Sequence, residues 1–281
     1  MNVIDTHCHV ISQDLARYPR APLGGKQSVW AQSRPVSAEG MAARMDEAGV
    51  ARAVLVQATT AYGYDNSYVV DSTRQRPGRF VAVGTFDPLR PDAASALAAA
   101  IDGGLAGVRL FTSGSTVPVQ GEWFAAPETY AFWEKAGELD VTICLQMRLG
   151  PATKQLREVL ERFSGVRVLL DHLGYPDIAA SPSAAGKEVA DLARHANLHL
   201  KLTHRNLERL SEAGKEAAGF LEPVIEAFGA GRIAWGSNCP AAEQTLPELV
   251  RLAEEVLADL PEGAREEIFA GTARRLYPGL E

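Results

Sequence analysis

The sequence predicts an α/β protein, a single-domain (β/α)8 barrel of the TIM type over residues 1–281. Short runs of apolar and β-branched residues alternate with longer stretches of helical periodicity. After the first run, they recur about every 25–35 residues, which is the spacing of a βα unit. Strands that alternate with helices form a parallel sheet covered by helices. Eight such units in a chain of 281 residues favour a closed barrel.

The predicted strands are short runs bounded by polar or turn-forming residues. They cover residues 3–5, 53–57, 80–84, 107–110, 141–146, 166–171, 198–202 and 233–236. An open doubly wound sheet is the second interpretation of this order. No glycine-rich nucleotide-binding motif follows an early strand, which weakens that alternative. Nothing in the sequence marks a second domain or an internal repeat.

The segments between the strands carry helix start and stop signals. Ser37 is a candidate N-cap, and Gly49 follows the same segment as a candidate C-terminal cap. Another segment begins at Pro91, which suits the first turn of a helix, and ends before Gly103. The predicted helices cover residues 37–48, 91–102, 127–139, 152–163, 184–196, 215–228, 245–257 and 262–275.

One long segment interrupts this alternation. Residues 11–35 are rich in residues that break regular structure, namely Pro19, Pro22, Gly24, Gly25 and Pro35. We predict a long loop after the first strand, on the C-terminal face of the barrel where active sites lie. The loop is either a lid over that face or a segment that packs on its rim.

The composition excludes several classes of protein. A net charge of −7 disfavours nucleic acid and anionic membranes as partners. The N-terminus lacks the pattern of a signal peptide, and no segment approaches the ~20 apolar residues of a membrane span. Three cysteines, an odd number, argue against a disulfide framework and for reduced thiols in the cytoplasm. Assembly into a homo-oligomer stays open.

A His-x-His motif follows the first predicted strand. Side chains alternate between the faces of an extended chain, so His7 and His9 point into the barrel mouth and Cys8 points away. Two imidazoles that converge in this way bind a metal ion or donate hydrogen bonds to a substrate oxyanion. The position at the C-terminal end of a strand favours catalysis.

The other four histidines lie in the second half of the chain. His172 follows the sixth strand and is a candidate catalytic residue, because several strand ends contribute to such sites. Its alternative role is structural, at the end of the strand. His204 ends the seventh strand and is a candidate substrate contact. We expect His195 on a helix surface and His199 facing the helices.

Five segments carry a resemblance to a known family. In the order found in the amidohydrolase-related family, the chain contains the segments DTHCHV, VLVQATTAYGYDN, GVRLF, VRVLLDHLGYPD and IAWGSNCP. Together they resemble its lactonase branch, which includes 2-pyrone-4,6-dicarboxylate lactonase and sugar-acid lactonases. The resemblance covers nearly the whole chain and implies a distorted (β/α)8 barrel that hydrolyses a C–O ester bond in a small ring.

Asn238 departs from the family pattern, which implies an aspartate there as the general base or a metal-bridging carboxylate. A carboxylate accepts a proton from the attacking water, whereas an amide does not, and losing a positioned base costs about 10²–10⁴ in rate. Asparagine has nearly the shape of aspartate. We therefore interpret Asn238 as an engineered change that inactivates the enzyme and traps substrate. A naturally altered enzyme or binding protein is the alternative.

The metal content stays open in the sequence. The metal-dependent relatives imply a histidine at the end of the fifth strand, where this chain has Gln146. Glutamine is a poor zinc ligand beside His, Cys or a carboxylate. If a metal is present, its ligands are His7, His9 and His172, and zinc is the expected ion. The dicarboxylate lactonases that the chain resembles work without a metal, so either no cofactor or one divalent metal is expected.

Substrate recognition is predicted to depend on arginines. Arg109 ends the fourth strand and matches the family position that contacts a substrate carboxylate, which a guanidinium binds in bidentate fashion. Arg148 and Arg205 are further candidates. Where the dicarboxylate enzyme has an arginine, this chain has Tyr175, so we expect a monocarboxylated or neutral lactone. The remaining candidate contacts are Gln57, Thr59, Tyr62, Asn66 (or else a helix cap), Gln146, Tyr175 and His204.

These residues predict the hydrolysis of a small-molecule lactone in catabolism. The histidines polarise the carbonyl, directly or through a metal, and an aspartate at position 238 deprotonates the attacking water. One alternative is a zinc-dependent decarboxylase of the same superfamily, which the missing fifth-strand histidine disfavours. Another is a non-catalytic ligand-binding descendant. A binuclear phosphotriesterase-like site is disfavoured because no bridging lysine or carboxylate is evident on the fifth strand.

Overall fold

Eight parallel strands form one sheet in the computed structural model, which describes residues 2–281. They are β1 (Val3–Cys8), β2 (Val50–Val56), β3 (Phe80–Thr85), β4 (Leu105–Phe111), β5 (Thr142–Gln146), β6 (Val168–Leu170), β7 (Leu198–Thr203) and β8 (Ile233–Gly236). Each strand pairs with the next in chain order, and a bridge between Cys8 and Cys239 brings the last segment back to β1. The predicted (β/α)8 barrel is confirmed.

Helices connect successive strands on the outside of the barrel. Within residues 2–281 they are α1 (Val29–Ser33), α2 (Ala38–Ala48), α3 (Thr59–Tyr62), α4 (Ser67–Gln75), α5 (Ala93–Asp102), α6 (Tyr130–Glu138), α7 (Thr153–Arg162), α8 (Pro182–Ala190), α9 (His204–Ala213), α10 (Ala218–Phe228), α11 (Leu246–Val256), α12 (Glu262–Glu266) and α13 (Thr272–Leu276). None of these helices is both long and apolar enough to cross a lipid bilayer.

Two longer helices, α4 and α9, are absent from the sequence-based prediction. α4 is rich in residues of modest helix propensity, and its formation depends on burying one face that includes Tyr68 and Val69. α9 begins with a capping box between Thr203 and Asn206. Its buried leucines lie three residues apart, so the sequence did contain a signal for this helix.

Several element boundaries also differ from the prediction. β1 continues through Cys8, so His7 lies within the strand instead of after it. The helix predicted at 184–196 is shifted to Pro182–Ala190. The helix predicted at 215–228 begins as a 3-10 turn, Gly214–Ala217, before α10. The loop predicted at 11–35 contains the short helix α1.

A core inside the barrel packs on the C-terminal segment at the N-terminal end of the strands and extends along β2 as far as Val56. Its strand residues are Ile4, Val54, Val56, Val83, Cys144, Leu169 and Ala234. The C-terminal segment closes this end, because Thr142 Oγ1 donates to Leu276 O at 2.8 Å and the Tyr277 hydroxyl lies 3.2 Å from Cys144 Sγ. A larger core lies between the sheet and the surrounding helices.

The buried carboxylate of Asp5 joins the first strand to the last. Its Oδ1 accepts hydrogen bonds from the backbone amides of His7 and Ser237, both at 2.9 Å, and its Oδ2 accepts one from Ser237 Oγ. Burial raises the pKa of Asp5 in spite of these hydrogen bonds. The amide of Asn238 donates to His7 O at 2.6 Å, so this seam fixes two candidate site residues through their backbones.

Substitution of Gly236 tests how tightly this seam is packed. A Cβ atom at position 236 would lie 2.7 Å from His7 Cβ and 3.1 Å from His7 N. We expect Gly236→Ala to lower the free energy of unfolding in urea by about 1–3 kcal/mol, the usual cost of overpacking. Gly263→Ala is the control, because a Cβ atom there meets nothing within 4 Å. Equal effects of the two substitutions would contradict the packing argument.

Candidate active site

Most of the predicted site residues converge on a cavity of about 250 Å³ at the C-terminal ends of the strands. The buried part of its wall includes His9, Thr59, Arg109, Gln146, His172 and Asn238. Its outer part includes Arg148, Tyr175 and Arg205. Residues from several strand ends and the turns that follow them thus meet at one place, as expected for the catalytic face of such a barrel.

Three of the predicted residues lie outside the cavity wall. His7 is fully buried behind it, with its ring centroid 4.9 Å from that of His9 and 5.1 Å from that of His172. The side-chain amide of Gln57 donates to Asp65 O and so holds the loop after β2. His204 is buried in the first turn of α9. Of these three, His7 alone has its ring packed against two rings of the wall.

Two further candidates, Tyr62 and Asn66, hold backbone segments together. The Tyr62 hydroxyl accepts hydrogen bonds from Ser12 N and Arg20 Nη1, both at 2.7 Å, which fastens the loop after β1. Asn66 occupies the N-cap position of α4, but its side chain makes no capping hydrogen bond. Instead its oxygen accepts from Thr85 N at 2.8 Å and its nitrogen donates to Thr85 O at 3.0 Å.

The long loop after β1 contributes an aromatic side chain that sequence reasoning missed. Trp30 of α1 lines the cavity and stacks on His9, with ring centroids 5.3 Å apart and planes inclined by 24°. The backbone of the neighbouring Ser28 donates to Thr60 Oγ1 at 2.6 Å. The loop therefore reaches the site itself. No motif in the loop marks Trp30, since the contact depends on how the loop folds back.

Strand geometry explains the placement of the His-x-His pair. The register between β1 and β2 is irregular between Asp5 and Cys8, which turns the end of β1 toward the barrel mouth. His9 Nδ1 donates to Val56 O at 2.8 Å, because a carbonyl oxygen accepts only. Its Nε2 then carries a lone pair. Cys8 packs in the outer core, on the opposite side from the histidines, as predicted.

His172 lies in a turn of unusual backbone conformation. Its φ is 55°, in the left-handed region, and Leu173 and Tyr175 have φ of 56° and 57°. Such residues cost about 1–3 kcal/mol each and persist where their surroundings fix them. Here Asn206 Nδ2 donates to His172 O at 3.0 Å, and His172 Nδ1 lies 2.7 Å from Thr203 Oγ1. The ring therefore faces the cavity in a fixed orientation.

A buried group of charges beneath the histidines was not predicted. Asp171 Oδ2 accepts from Arg109 Nε at 2.7 Å, and Asp171 Oδ1 lies 2.8 Å from Lys201 Nζ. All three side chains are nearly inaccessible to solvent. Lys201 Nζ also lies 3.1 Å from His7 Nδ1, and Arg109 Nη2 donates to Gln146 Oε1. Four strands and the turn after β6 are thereby connected through polar side chains.

Lys201 had a recognisable signal in the sequence. It is a lysine within the apolar strand Leu198–Thr203, and such a residue is almost never fully buried without a partner. Its alternation with His199 and Thr203 places those two on the same face as Lys201, so His199 does not face the helices as expected. His195, expected on a helix surface, is buried in a turn after α8.

Burial and neighbouring charges set the protonation states of these groups. Burial would raise the pKa of Asp171, but the charges of Lys201 and Arg109 outweigh it and hold that pKa well below its ordinary value. Burial lowers the pKa of His7 far below its ordinary value, and the same two cations lower it further. Burial also lowers the pKa of His9 to about 4 and that of His172 well below normal. All three imidazoles are therefore neutral near pH 7.

Asn238 completes a neutral pair with His9. One terminal atom of its side-chain amide lies 3.2 Å from His9 Nε2. Because that nitrogen carries a lone pair, a hydrogen bond there requires the NH2 group of the amide. The amide oxygen then turns toward the cavity as an acceptor. Asn238 has a φ of 59°, a left-handed conformation that asparagine tolerates well.

The cavity wall is electropositive, although the whole chain is acidic. Arg109, Arg148 and Arg205 line it, whereas no Asp or Glu is among the described residues that do so. The guanidinium of Arg148 lies 4.9 Å from the centre of the Tyr175 ring, which orients it at the rim. Such a surface attracts an anionic ligand and stabilises negative charge that develops on it.

The donor set does not fit a divalent metal ion. The ammonium of Lys201 faces His7 Nδ1, and the buried cations of Lys201 and Arg109 would repel another cation. His9 Nε2 is engaged by Asn238. Among residues 2–281, no three or more His, Cys, Asp or Glu side chains are arranged to hold a metal ion. The predicted ligand set of His7, His9 and His172 therefore does not form a metal centre in this arrangement.

Sequence comparison identifies the class of protein. The model of the amidohydrolase family matches residues 4–279, nearly the whole chain. The chain therefore belongs to the amidohydrolase family, and the family that its motifs resemble is confirmed.

One curated relative and several solved structures are similar to the chain. Over 90 residues the chain is 31% identical to L-fucono-1,5-lactonase of Burkholderia ambifaria, a match that spans only 29% of either chain. A candidate 2-pyrone-4,6-dicarboxylic acid hydrolase from Pseudomonas putida has the same fold, with a TM-score of 0.80 and 22% identity over 99% of this chain and 98% of its own. An amidohydrolase from Burkholderia multivorans with bound zinc has a TM-score of 0.74 and 21% identity, covering 99% of each chain.

Neutralising Asp171 tests the buried charges. Asp171→Asn leaves Lys201 and Arg109 without their counter-charge, and we expect it to lower the free energy of unfolding in urea by about 3–5 kcal/mol. The control is Asp191→Asn, which removes an exposed pair with Lys187 at 3.0 Å and should cost no more than about 1 kcal/mol. A loss at Asp171 as small as that at Asp191 would show that the buried group contributes little.

Proposed function

We propose that the site binds a small lactone carrying one anionic group and that its architecture is that of a lactone hydrolase. The observation that carries this proposal is a cavity lined by arginines, with the unpartnered Nε2 of the buried His7 behind it. The ammonium of Lys201 can only donate to His7 Nδ1, 3.1 Å away, so Nε2 carries the proton of the neutral ring. A buried donor without a partner costs about 1–3 kcal/mol, which favours an oxygen supplied by a ligand.

In this proposal the lactone carbonyl oxygen approaches His7 and Arg109. Attack of water on the carbonyl carbon forms a new C–O bond and moves an electron pair onto that oxygen. The neutral N–H of His7 and a guanidinium stabilise this charge more strongly in a buried site than in water. Collapse of the tetrahedral intermediate breaks the ring C–O bond, and the departing oxygen takes up a proton to give a hydroxy acid or its enol.

The attacking water would lie beside Asn238. The amide oxygen can accept a hydrogen bond from this water and orient it, but it cannot take up the proton that attack releases. An aspartate in the same place could do so. We therefore expect the present chain to bind lactones but to hydrolyse them slowly, whether Asn238 is an engineered or a natural residue.

The anionic group of the substrate would lie at the outer end of the cavity. Arg148 and Arg205 are there, separated from the buried histidines by Tyr175, whose ring centroid is 4.9 Å from that of His172. The size of the cavity, about 250 Å³, suits a single small ring. A monocarboxylated lactone satisfies both the charge and the size.

Restoring the carboxylate is the direct test of the proposed reaction. We expect Asn238→Asp to hydrolyse at least one carboxylated lactone about 10²–10⁴-fold faster than the present chain, because it regains a positioned base. The measurement is a screen of five- and six-membered lactones by proton release at constant pH, with each protein at equal concentration. Addition of a chelator should leave the rates unchanged, because the donor set does not fit a metal.

The same screen distinguishes the competing functions. Ligand binding without turnover, even in Asn238→Asp, would indicate a binding protein and would contradict the trapping interpretation. Release of carbon dioxide from aromatic carboxylates, together with zinc in elemental analysis, would indicate a decarboxylase instead. Loss of activity with the chelator would contradict the metal-free arrangement.

Charge reversal at the rim tests the anionic group of the substrate. In the Asn238→Asp protein, we expect Arg148→Glu and Arg205→Glu to raise KM for a carboxylated lactone about 10–100-fold, a loss typical of a charged hydrogen bond, with kcat changed little. KM for the matching neutral lactone should change by less than about 3-fold. Arg194→Glu, on the outer surface and away from the cavity, is the control. Equal effects on both lactones would show that these arginines do not recognise a carboxylate.

A further inference from the structure

Lys201 in β7 contacts other groups besides Asp171, the carboxylate with which it forms an ion pair. The side chain is fully buried, and its Nζ has three acceptors within reach. These are Asp171 Oδ1 at 2.8 Å, His7 Nδ1 at 3.1 Å and Cys144 Sγ at 3.6 Å. An ammonium group has three protons and no lone pair, so it acts only as a donor toward His7 Nδ1 and Cys144 Sγ, and it forms an ion pair with Asp171 Oδ1.

This contact fixes the tautomer of His7. A neutral imidazole carries one proton, and Nδ1 must accept from the ammonium, so the proton lies on Nε2. Nε2 is buried and has no hydrogen-bond partner among the described residues. The rings of His9 and His172, both in the cavity wall, have centroids 4.9 Å and 5.1 Å from that of His7. The His7 donor thus lies directly behind the cavity wall, next to two of the rings that form it.

A competing acceptor lies close to the same ring atom. Asp171 Oδ1 is 3.7 Å from His7 Nδ1, near enough to accept a proton from it after a small shift. The other oxygen of Asp171 is held by Arg109 at 2.7 Å, so the carboxylate stays in place. Without the lysine, Nδ1–H directed at a carboxylate becomes the favourable tautomer, and Nε2 becomes an acceptor.

We propose that Lys201 is a positioning residue that holds the proton of His7 on Nε2, so that His7 donates to the substrate oxygen. In this role the lysine prevents Asp171 from drawing the proton to the inner side of the ring. The catalytic consequence rests on the proposed lactone hydrolysis, whereas the tautomer does not. The alternative is that Lys201 only balances the charge of Asp171.

Two substitutions that both break the ion pair separate these roles. Lys201→Met removes the donor and leaves the Asp171 carboxylate beside Nδ1, so His7 should change to the Nδ1–H tautomer. Asp171→Asn keeps the ammonium and replaces the carboxylate by an amide, so His7 should keep Nε2–H. If Lys201 only balanced the charge of Asp171, the two substitutions would not give His7 different tautomers. Tautomers are read from the imidazole 15N shifts in long-range 1H–15N spectra, with His7 assigned by its loss in His7→Gln.

The folded unsubstituted protein provides a result that does not depend on the stability of either variant. Its spectrum should show His7 with a protonated Nε2 and an unprotonated Nδ1. A protonated Nδ1 in this protein, or an unchanged Nε2–H tautomer in folded Lys201→Met, would overturn the proposal. Both outcomes are observed without substrate, so they are independent of whether any lactone is hydrolysed.

The kinetic consequence is measured in the Asn238→Asp background. There we expect Lys201→Met to lower kcat about 10²–10³-fold, the effect of losing one oxyanion donor, with a much smaller change in KM. A change confined to KM would contradict the positioning role. If Asn238→Asp hydrolyses no lactone, the proposed function fails while the spectra still decide the tautomer.

Discussion

Two cations buried inside a protein need a counter-charge, and in this barrel Asp171 supplies it to both Lys201 and Arg109. The cost of removing such charges from water is repaid only when their geometry is well satisfied. The carboxylate lies at the end of β6, whereas the cations come from β4 and β7. Through Arg109 and Lys201 it also determines what Gln146 and His7 can bond to. One carboxylate thus holds the side chains of Arg109 and Lys201 in place, and these two in turn orient Gln146 and His7.

The sequence predicts the parts of this protein that depend on local pattern. Strand runs, most helices and the His-x-His motif follow from periodicity, and the barrel follows from their order. The connection between Lys201 and Asp171 depends on which strands become neighbours and on their register, which no local pattern specifies. The contact between Trp30 and His9 likewise depends on tertiary folding and not on a local pattern. Gln57 was misplaced because a polar residue after a strand can bond to its own loop instead of to the cavity.

Position 238 shows how a single atom can alter the electrostatics of a site. With asparagine, the amide and the neutral His9 satisfy each other, and the pair adds no charge to a cavity that already holds arginines. An aspartate there would introduce a negative charge beside His9 and favour its protonation. The strand ends that support both residues would be unaffected, since they are held by Asp5 and Ser237 through backbone hydrogen bonds.

The loop after β1 supplies one part of the cavity wall, the side chain of Trp30, separately from the strands. Trp30 arrives on this loop, whereas the charged and hydrogen-bonding groups of the wall come from strand ends and the segments that follow them. The loop is fastened to the segment after β2 by Arg20, which donates to the Tyr62 hydroxyl at 2.7 Å, and by Ser28, whose backbone donates to Thr60 Oγ1 at 2.6 Å. Substitutions at Trp30 and in the short helix that carries it would reshape the cavity while leaving the groups on the strand ends in place. In an engineering programme, the specificity and the chemistry of this barrel could therefore be varied separately.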